Sequence, residues 1–216
     1  MRSFDLEPKN GSPKSALILL HGVGSNGRDL ISLAPMLAEA LPNTAFISPD
    51  APFEYDMGMG MMSDAYQWFS LADRAPEKML AGLRHVQPLV DSFIDNVLEK
   101  YALPANKLAL FGFSQGTMTS LFVGARRLEK IAGIVGCSGA LLAPELLASE
   151  TASKPDICLI HGVQDDVVPF AAMDKAAVEL EKNGFSVETH ARAGLPHSID
   201  LEGIEAAKKF LAARLG

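Results

Sequence analysis

The chain has 216 residues, of which 48% are hydrophobic and 21% charged, with a mean hydropathy of +0.15 and a pI near 5.2. That composition excludes a disordered or fibrous chain and suits one globular domain over residues 1–216 with a full core. A net charge of −7 disfavours any partner bound by neutralising phosphates, so neither nucleic acid nor an anionic membrane surface is expected. The first residues, MRSFDLEPKNGSPKS, lack an apolar signal core, and the longest apolar runs fall short of the ~20 residues that span a bilayer. No membrane insertion and a cytoplasmic location are the expectation.

Short apolar runs alternate with amphipathic stretches along the chain. Ala16–Leu20 reads as a buried strand that ends on the loop HGVGSNG, residues 21–27. A helix is expected at 29–41 and a strand at Ala45–Ser48. Residues 48–75 break the alternation: they are too rich in Gly, Met and Asp for either element. A loop of that length in a compact domain is usually functional, which makes this one a candidate lid. The helix expected at 76–101 carries Leu80, Leu83, Val90, Ile94 and Val97 at helical spacing, with Pro88 as a kink. A strand at Leu108–Gly112, a helix at 116–128, strands at Ile131–Cys137 and Ile157–His161, a helix at 170–183, a strand at Val187–Ala191 and a helix at 200–214 follow. This is βαβ order without a repeat. It implies an α/β fold with a mostly parallel sheet, helices on both faces and sites at the carboxyl ends of strands.

Cys137 and Cys158 fall inside strand runs and read as small core residues rather than a disulfide. The sequence has no CxxC and no His cluster at metal spacing, so neither a metal nor an organic cofactor is expected.

One strand runs into a motif that carries chemistry. In Leu108-Ala-Leu-Phe-Gly-Phe-Ser114-Gln-Gly116 a strand enters G-x-S-x-G and then a helix, the order of a nucleophile elbow. A chain of this length and ordinary composition would contain about 0.1 such matches by chance, and the strand before and helix after lower that further. The sharp turn presents the Ser114 hydroxyl at the sheet edge, where the next amide and the helix dipole face a developing oxyanion.

A serine hydroxyl needs a base to take its proton and a carboxylate to orient the base, here in the chain order Ser, Asp, His. Among five histidines, His85 lies in a helix and His190 within a strand pattern. His21 and His161 each precede a glycine at a strand end, where an imidazole braces a loop. His197, in the Gly/Pro loop Gly194-Leu-Pro-His197 before the last helix, has the order and setting of the base. Two adjacent carboxylates, Asp165 and Asp166, follow the Ile157–His161 strand, and spacing leaves the choice between them open.

The HGVGSNG loop lacks the Gly-Lys-Ser/Thr of a phosphate cradle and a third glycine at dinucleotide spacing. In a hydrolase, such a turn supplies one backbone N–H to the oxyanion and the residue after the nucleophile supplies the other. Those amides are Val23 and Gln115.

Taken together, HGVGSNG, QWFSL, GFSQG, HGVQDDVVP and GLPHS resemble the carboxylesterase, lysophospholipase and acyl-protein thioesterase family of small α/β hydrolases. The resemblance implies an α/β-hydrolase fold without a separate cap domain, and often a homodimer. It also implies a serine hydrolase that cleaves carboxylic esters or thioesters through an acyl-enzyme, with lysophospholipase or acyl-protein thioesterase activity as alternatives at the same site. The acid falls on the third residue after His-Gly, Asp165. Met57, Met59, Met61 and Met62, just before Trp68, correspond to the region that contacts a small or lipid-like acyl substrate. Thr117 and Ser70 depart from the family pattern, which commonly has Gly and an acidic residue there. A catalytically silent binding protein of the same fold is the alternative in another class, and the full set Ser114, Asp165 and His197 argues against it.

Overall fold

The computed structural model describes residues 1–8, 11–58 and 64–216. Among the described residues the strands in chain order are β1 (Ser3–Leu6), β2 (Ser15–Leu20), β3 (Thr44–Pro49), β4 (Phe53–Glu54), β5 (Tyr66–Gln67), β6 (Leu108–Phe113), β7 (Gly133–Cys137), β8 (Asp156–Gly162) and β9 (Val187–Arg192). Seven of them form one sheet in the order β1-β3-β2-β6-β7-β8-β9, and β4 pairs with β5 apart from it. All neighbours in the large sheet run parallel except β1, which lies antiparallel to β3.

The helices are α1 (Gly27–Leu30), α2 (Ala34–Leu37), α3 (Pro76–Tyr101), α4 (Gln115–Arg126), α5 (Leu147–Glu150), α6 (Ala171–Lys182) and α7 (Leu201–Leu215). Alternate residues of each central strand serve opposite faces, because successive side chains in a strand point to opposite sides. Ile18, Leu20, Leu110, Ile134 and Leu159 pack with Leu83, Val90 and Ile94 of α3, Phe122 of α4 and Leu180 of α6. Leu17, Leu19, Phe111, Val135 and Ile160 pack with Leu37 of α2 and Ile204, Phe210 and Leu211 of α7. The central strands are apolar on both sides for this reason, and helices cover both faces. Cys137 and Cys158 are free and buried in that second layer. Among the described residues no helix is long and apolar enough to cross a membrane.

Three expectations need correction. The helix expected at 29–41 is broken into α1, a 3-10 turn over Ile31–Leu33 and α2. Asn26 caps α1 by accepting from the Asp29 N–H at 3.0 Å. Pro35 cannot donate a helical hydrogen bond and suits the first turn of a new helix, where α2 begins. The segment 48–75 is not wholly irregular, since it contains β4, a 3-10 turn over Asp56–Gly58 and β5. Finally, β1 was not foreseen: the four residues SFDL carry little pattern by themselves and are held by antiparallel pairing to β3. The helix expected at 76–101 has those bounds and runs through Pro88 without interruption.

Candidate active site

Ser114 stands between β6 and α4 with φ 54° and ψ −116°. A residue with a Cβ enters this half of backbone space only when its surroundings over-determine it. Here the Ser114 N–H donates to Cys137 O on the neighbouring strand at 2.8 Å, and its carbonyl accepts from the amides of Thr117 and Met118. The turn also demands glycine on its far side, because a Cβ on Gly116 would lie 1.8 Å from Leu20 O. Strand β2 and the start of α4 therefore cross in near contact, with the hydroxyl held above the sheet edge.

The loop after β9 brings His197 to this hydroxyl, with Nε2 3.0 Å from Ser114 Oγ. On the other side of the ring, Nδ1 lies 2.8 Å from Asp165 Oδ2. Asp165 sits in the turn after β8 with its side chain wholly buried, while Asp166 is exposed. Asp165 Oδ1 accepts from the amides of Val167 at 3.0 Å and Val168 at 2.8 Å. Burial pushes the Asp165 carboxyl up, but the bond from His197 and the two amides outweigh it and hold the group below the ordinary carboxylate range. An ionised Asp165 requires the proton of His197 on Nδ1, which leaves the Nε2 lone pair facing the Ser114 hydroxyl. Phe113 flanks the ring, with centroids 5.0 Å apart.

The loop after β2 lies across the elbow. His21 is wholly buried. Its Nε2 accepts from the Ala51 N–H at 3.0 Å, so its proton is on Nδ1, 2.7 Å from Gly22 O. Burial lowers the His21 imidazole below its ordinary range, which agrees with a neutral ring. In a trans peptide the carbonyl and the next N–H point in opposite directions. With Gly22 O held by His21 and by the Ser25 amide, the Val23 N–H is turned away from both. Among the described residues neither the Val23 nor the Gln115 amide has a protein acceptor. The Gln115 amide opens α4, where the helix dipole is positive.

Trp68, expected on the substrate side, is corrected: it is wholly buried and offers no surface to a substrate. Its indole Nε1–H donates to His21 O at 2.8 Å. The Gln115 side chain holds the same segment, since Oε1 accepts from the Trp68 N–H at 2.9 Å and Nε2 donates to Phe69 O at 2.7 Å. These three residues weld the end of the 48–75 segment to the elbow and to the loop after β2. The role of the Gln115 side chain had no sequence signal beyond a polar residue amid small and apolar neighbours. Met57 is exposed in its 3-10 turn, and Met59, Met61 and Met62 lie outside the described residues. Thr117, where the resemblance pointed to glycine, is buried with Oγ1 2.9 Å from Gly112 O and 2.8 Å from Cys137 O.

Two apolar clefts flank Leu141 and Pro144 in the segment after β7. One, of about 540 Å³, lies against α6, and the other, of about 530 Å³, lies against the start of α3. Neither is lined by Ser114, His197 or Asp165.

A serine on a strained strand-to-helix turn, with an imidazole and a buried carboxylate in line behind it on this sheet, defines a serine hydrolase of the α/β-hydrolase class. The Phospholipase/Carboxylesterase family model matches residues 1–215, and the chain belongs to that family. It is 28% identical over 214 residues to acyl-protein thioesterase 1 of Yarrowia lipolytica, covering 91% of this chain and 90% of that protein. Among solved structures, esterase PE8 matches with a TM-score of 0.92 and 36% identity over 99% of this chain and 98% of the other. Acyl-protein thioesterase 2 of Zea mays matches with a TM-score of 0.80 and 26% identity over 100% and 99%. The protein is thus an ester or thioester hydrolase of the carboxylesterase/thioesterase type.

Proposed function

We propose that Ser114 is the nucleophile, His197 the general base and Asp165 the residue that orients it, with the amides of Val23 and Gln115 as the oxyanion hole. The observation that carries this reading is the unbroken line from Asp165 Oδ2 through His197 to Ser114 Oγ, at 2.8 and 3.0 Å. His197 Nε2 takes the hydroxyl proton as Oγ bonds to the substrate carbonyl carbon. The negative charge that forms on the carbonyl oxygen is met by two N–H groups, each worth roughly 3 kcal/mol of barrier in such sites. Collapse of that intermediate breaks the bond to the leaving oxygen or sulfur, which takes the proton from His197. Water then repeats the sequence on the acyl-enzyme and releases the acid. Protein groups and water suffice for every step.

The substrate in this reading is a small or lipid-like acyl ester or thioester. The names of the relatives and the exposed Met57 support an acyl chain running beside the 48–75 segment, which acts as a lid over one domain. The net charge of −7 argues against nucleic acid, and the free, buried Cys137 and Cys158 agree with the cytoplasm. A homodimer is the assembly the family resemblance implies.

A fluorophosphonate probe should label the wild-type protein and leave Ser114→Ala unlabelled; labelling of the variant would remove the central assignment. A panel of acetyl to palmitoyl esters and matched thioesters then sorts chain length and leaving group. Flat activity across chain lengths would sink the acyl-contact reading.

A further inference from the structure

We propose that His161 is a positioning residue for the reaction: its Nε2–H bonds the turn that carries Asp165 and lies against the carboxylate, which keeps that carboxylate in line with His197. The proposal rests on Asp165 being the orienting acid. His161 Nε2 is 2.9 Å from Val168 O and 3.2 Å from Asp165 Oδ2. A carbonyl oxygen can only accept, so Nε2 carries the hydrogen and donates it to Val168 O, with the partly positive N–H group lying against Asp165 Oδ2.

Two imidazoles therefore lie close to Asp165 Oδ2, at 2.8 Å and 3.2 Å, while Oδ1 takes the amides of Val167 and Val168. The arrangement ties the turn that carries Asp165 to the strand before it. His161 belongs to β8, where its position in the ladder is opposite Ala191 of β9, whereas Asp165 and Val168 belong to the turn that follows. By gripping Val168 O, the ring also fixes the peptides whose amides hold Oδ1. Phe170, at the start of α6, meets the His161 ring edge-on at 6.1 Å and limits its rotation. The side chains of His161 and Asp165 are 2% and 0% exposed, so bulk water does not replace the donor if it is removed. The carboxylate would keep its two amides and lose the constraint on Oδ2, the oxygen that sets the direction of the His197 ring.

His161→Met keeps similar bulk without a donor, and His161→Gln places an amide N–H about where Nε2 lies. Losing the bond to Val168 O and the N–H against the carboxylate together should let Asp165 shift, so His161→Met is expected to lower kcat by about tenfold or more with KM little changed. The rate of fluorophosphonate reaction at Ser114 should fall by a similar factor, and His161→Gln should recover most of both. A purely structural role instead predicts equal losses of melting temperature in the two variants with kcat unchanged in the folded protein, and that result overturns the proposal. Nitrogen-15 spectra of the wild-type histidines give a reading that needs no variant: the Nε2–H tautomer at His161 is expected, and the Nδ1–H tautomer overturns the inference even if His161→Met cannot be folded. Labelling of Ser114→Ala would instead strike the underlying mechanism, whereas labelled wild type with a fully active His161→Met strikes this inference alone.

Discussion

His21-Gly22 follows β2 and His161-Gly162 ends β8, two parallel strands of one sheet. Both imidazoles are buried, yet their protons sit on opposite nitrogens. His21 carries its proton on Nδ1, because Ala51 N–H occupies Nε2. His161 carries it on Nε2, because that atom faces Val168 O. The two glycines differ as well. A Cβ on Gly162 would lie 2.3 Å from Leu195 O, a backbone atom of the loop that carries His197, whereas on Gly22 it would meet the Phe113 ring at 3.2 Å. The same dipeptide at the end of the same kind of strand thus braces the loop after β2 in one place and the turn that carries Asp165 in the other. What each ring does is decided by the backbone group opposite it, not by its own identity.

The acid turn should be the more sensitive of the two. Asp165→Asn leaves the shape but favours the wrong His197 tautomer, and kcat should fall by roughly 10⁴. Asp166→Asn, altering an exposed carboxylate, should change kcat by no more than about threefold. A larger loss at Asp166, with both variants folded, would transfer the role.

At the other turn, His21→Phe keeps a ring but loses the bond to Gly22 O that, with the Ser25 amide, orients the Gly22–Val23 peptide, and also the Ala51 bond that fixes the ring. Misplacing one oxyanion donor predicts a fall in kcat of about 10², with KM little changed and short and long acyl esters affected alike. Steady-state kinetics on both esters test this, and a loss confined to KM would show that the loop serves binding instead.

One shell further out, Trp68→Phe removes the donor to His21 O and leaves that oxygen buried without it. A cost of about 1–3 kcal/mol corresponds to a melting temperature lower by roughly 2–10 °C in a domain of this size. kcat should drop only a few-fold. An unchanged melting point would mean that the indole fills space and does not brace the loop.

Acid sharpens the contrast by a smaller margin. Burial depresses the folded His21 pKa, so below about pH 6.5 the unfolded chain binds a proton that the folded ring refuses. This contribution to stability is complete above that pH and is lost as pH falls toward the folded pKa, by no more than about 1.4 kcal/mol per pH unit. Asp165, also depressed, contributes above about pH 4 and loses its share only below that. Urea unfolding at pH 7.5 and 5.5 should show a weaker pH dependence in His21→Phe than in wild type. An identical slope would assign the acid sensitivity to other groups.

Much of the fold was legible because buried parallel strands are apolar on both faces, as Ala16–Leu20 and Leu108–Gly112 are, and because the 76–101 helix repeats its apolar face at helical spacing. Elements held by pairing rather than by their own pattern were not legible. β1 is four residues beside β3, and β4 and β5 contribute two residues each inside the segment that looked irregular. The first helix failed as one piece because its apolar periodicity continues across Pro35 while its backbone hydrogen bonding does not.

By itself the sequence determined the α/β order, the place of Ser114 on a strand-to-helix turn, the place of His197 in a loop near the carboxyl end of the sheet, and a buried pair of cysteines. Those follow from local rules: side-chain period, glycine spacing and chain order. Spacing left Asp165 and Asp166 open, the family resemblance pointed to Asp165, and in the structure it is Asp165 that faces His197. Only the tertiary structure decided that Trp68 is a brace and not a wall of the pocket, and which nitrogen of each His-Gly imidazole is protonated. All but the His161 tautomer, which Val168 sets from seven residues away, depend on a partner far along the chain: Asp165 on His197, Trp68 on His21 and Gln115, His21 on Ala51. A hydrogen bond acts over about 3 Å in space and is blind to distance in sequence.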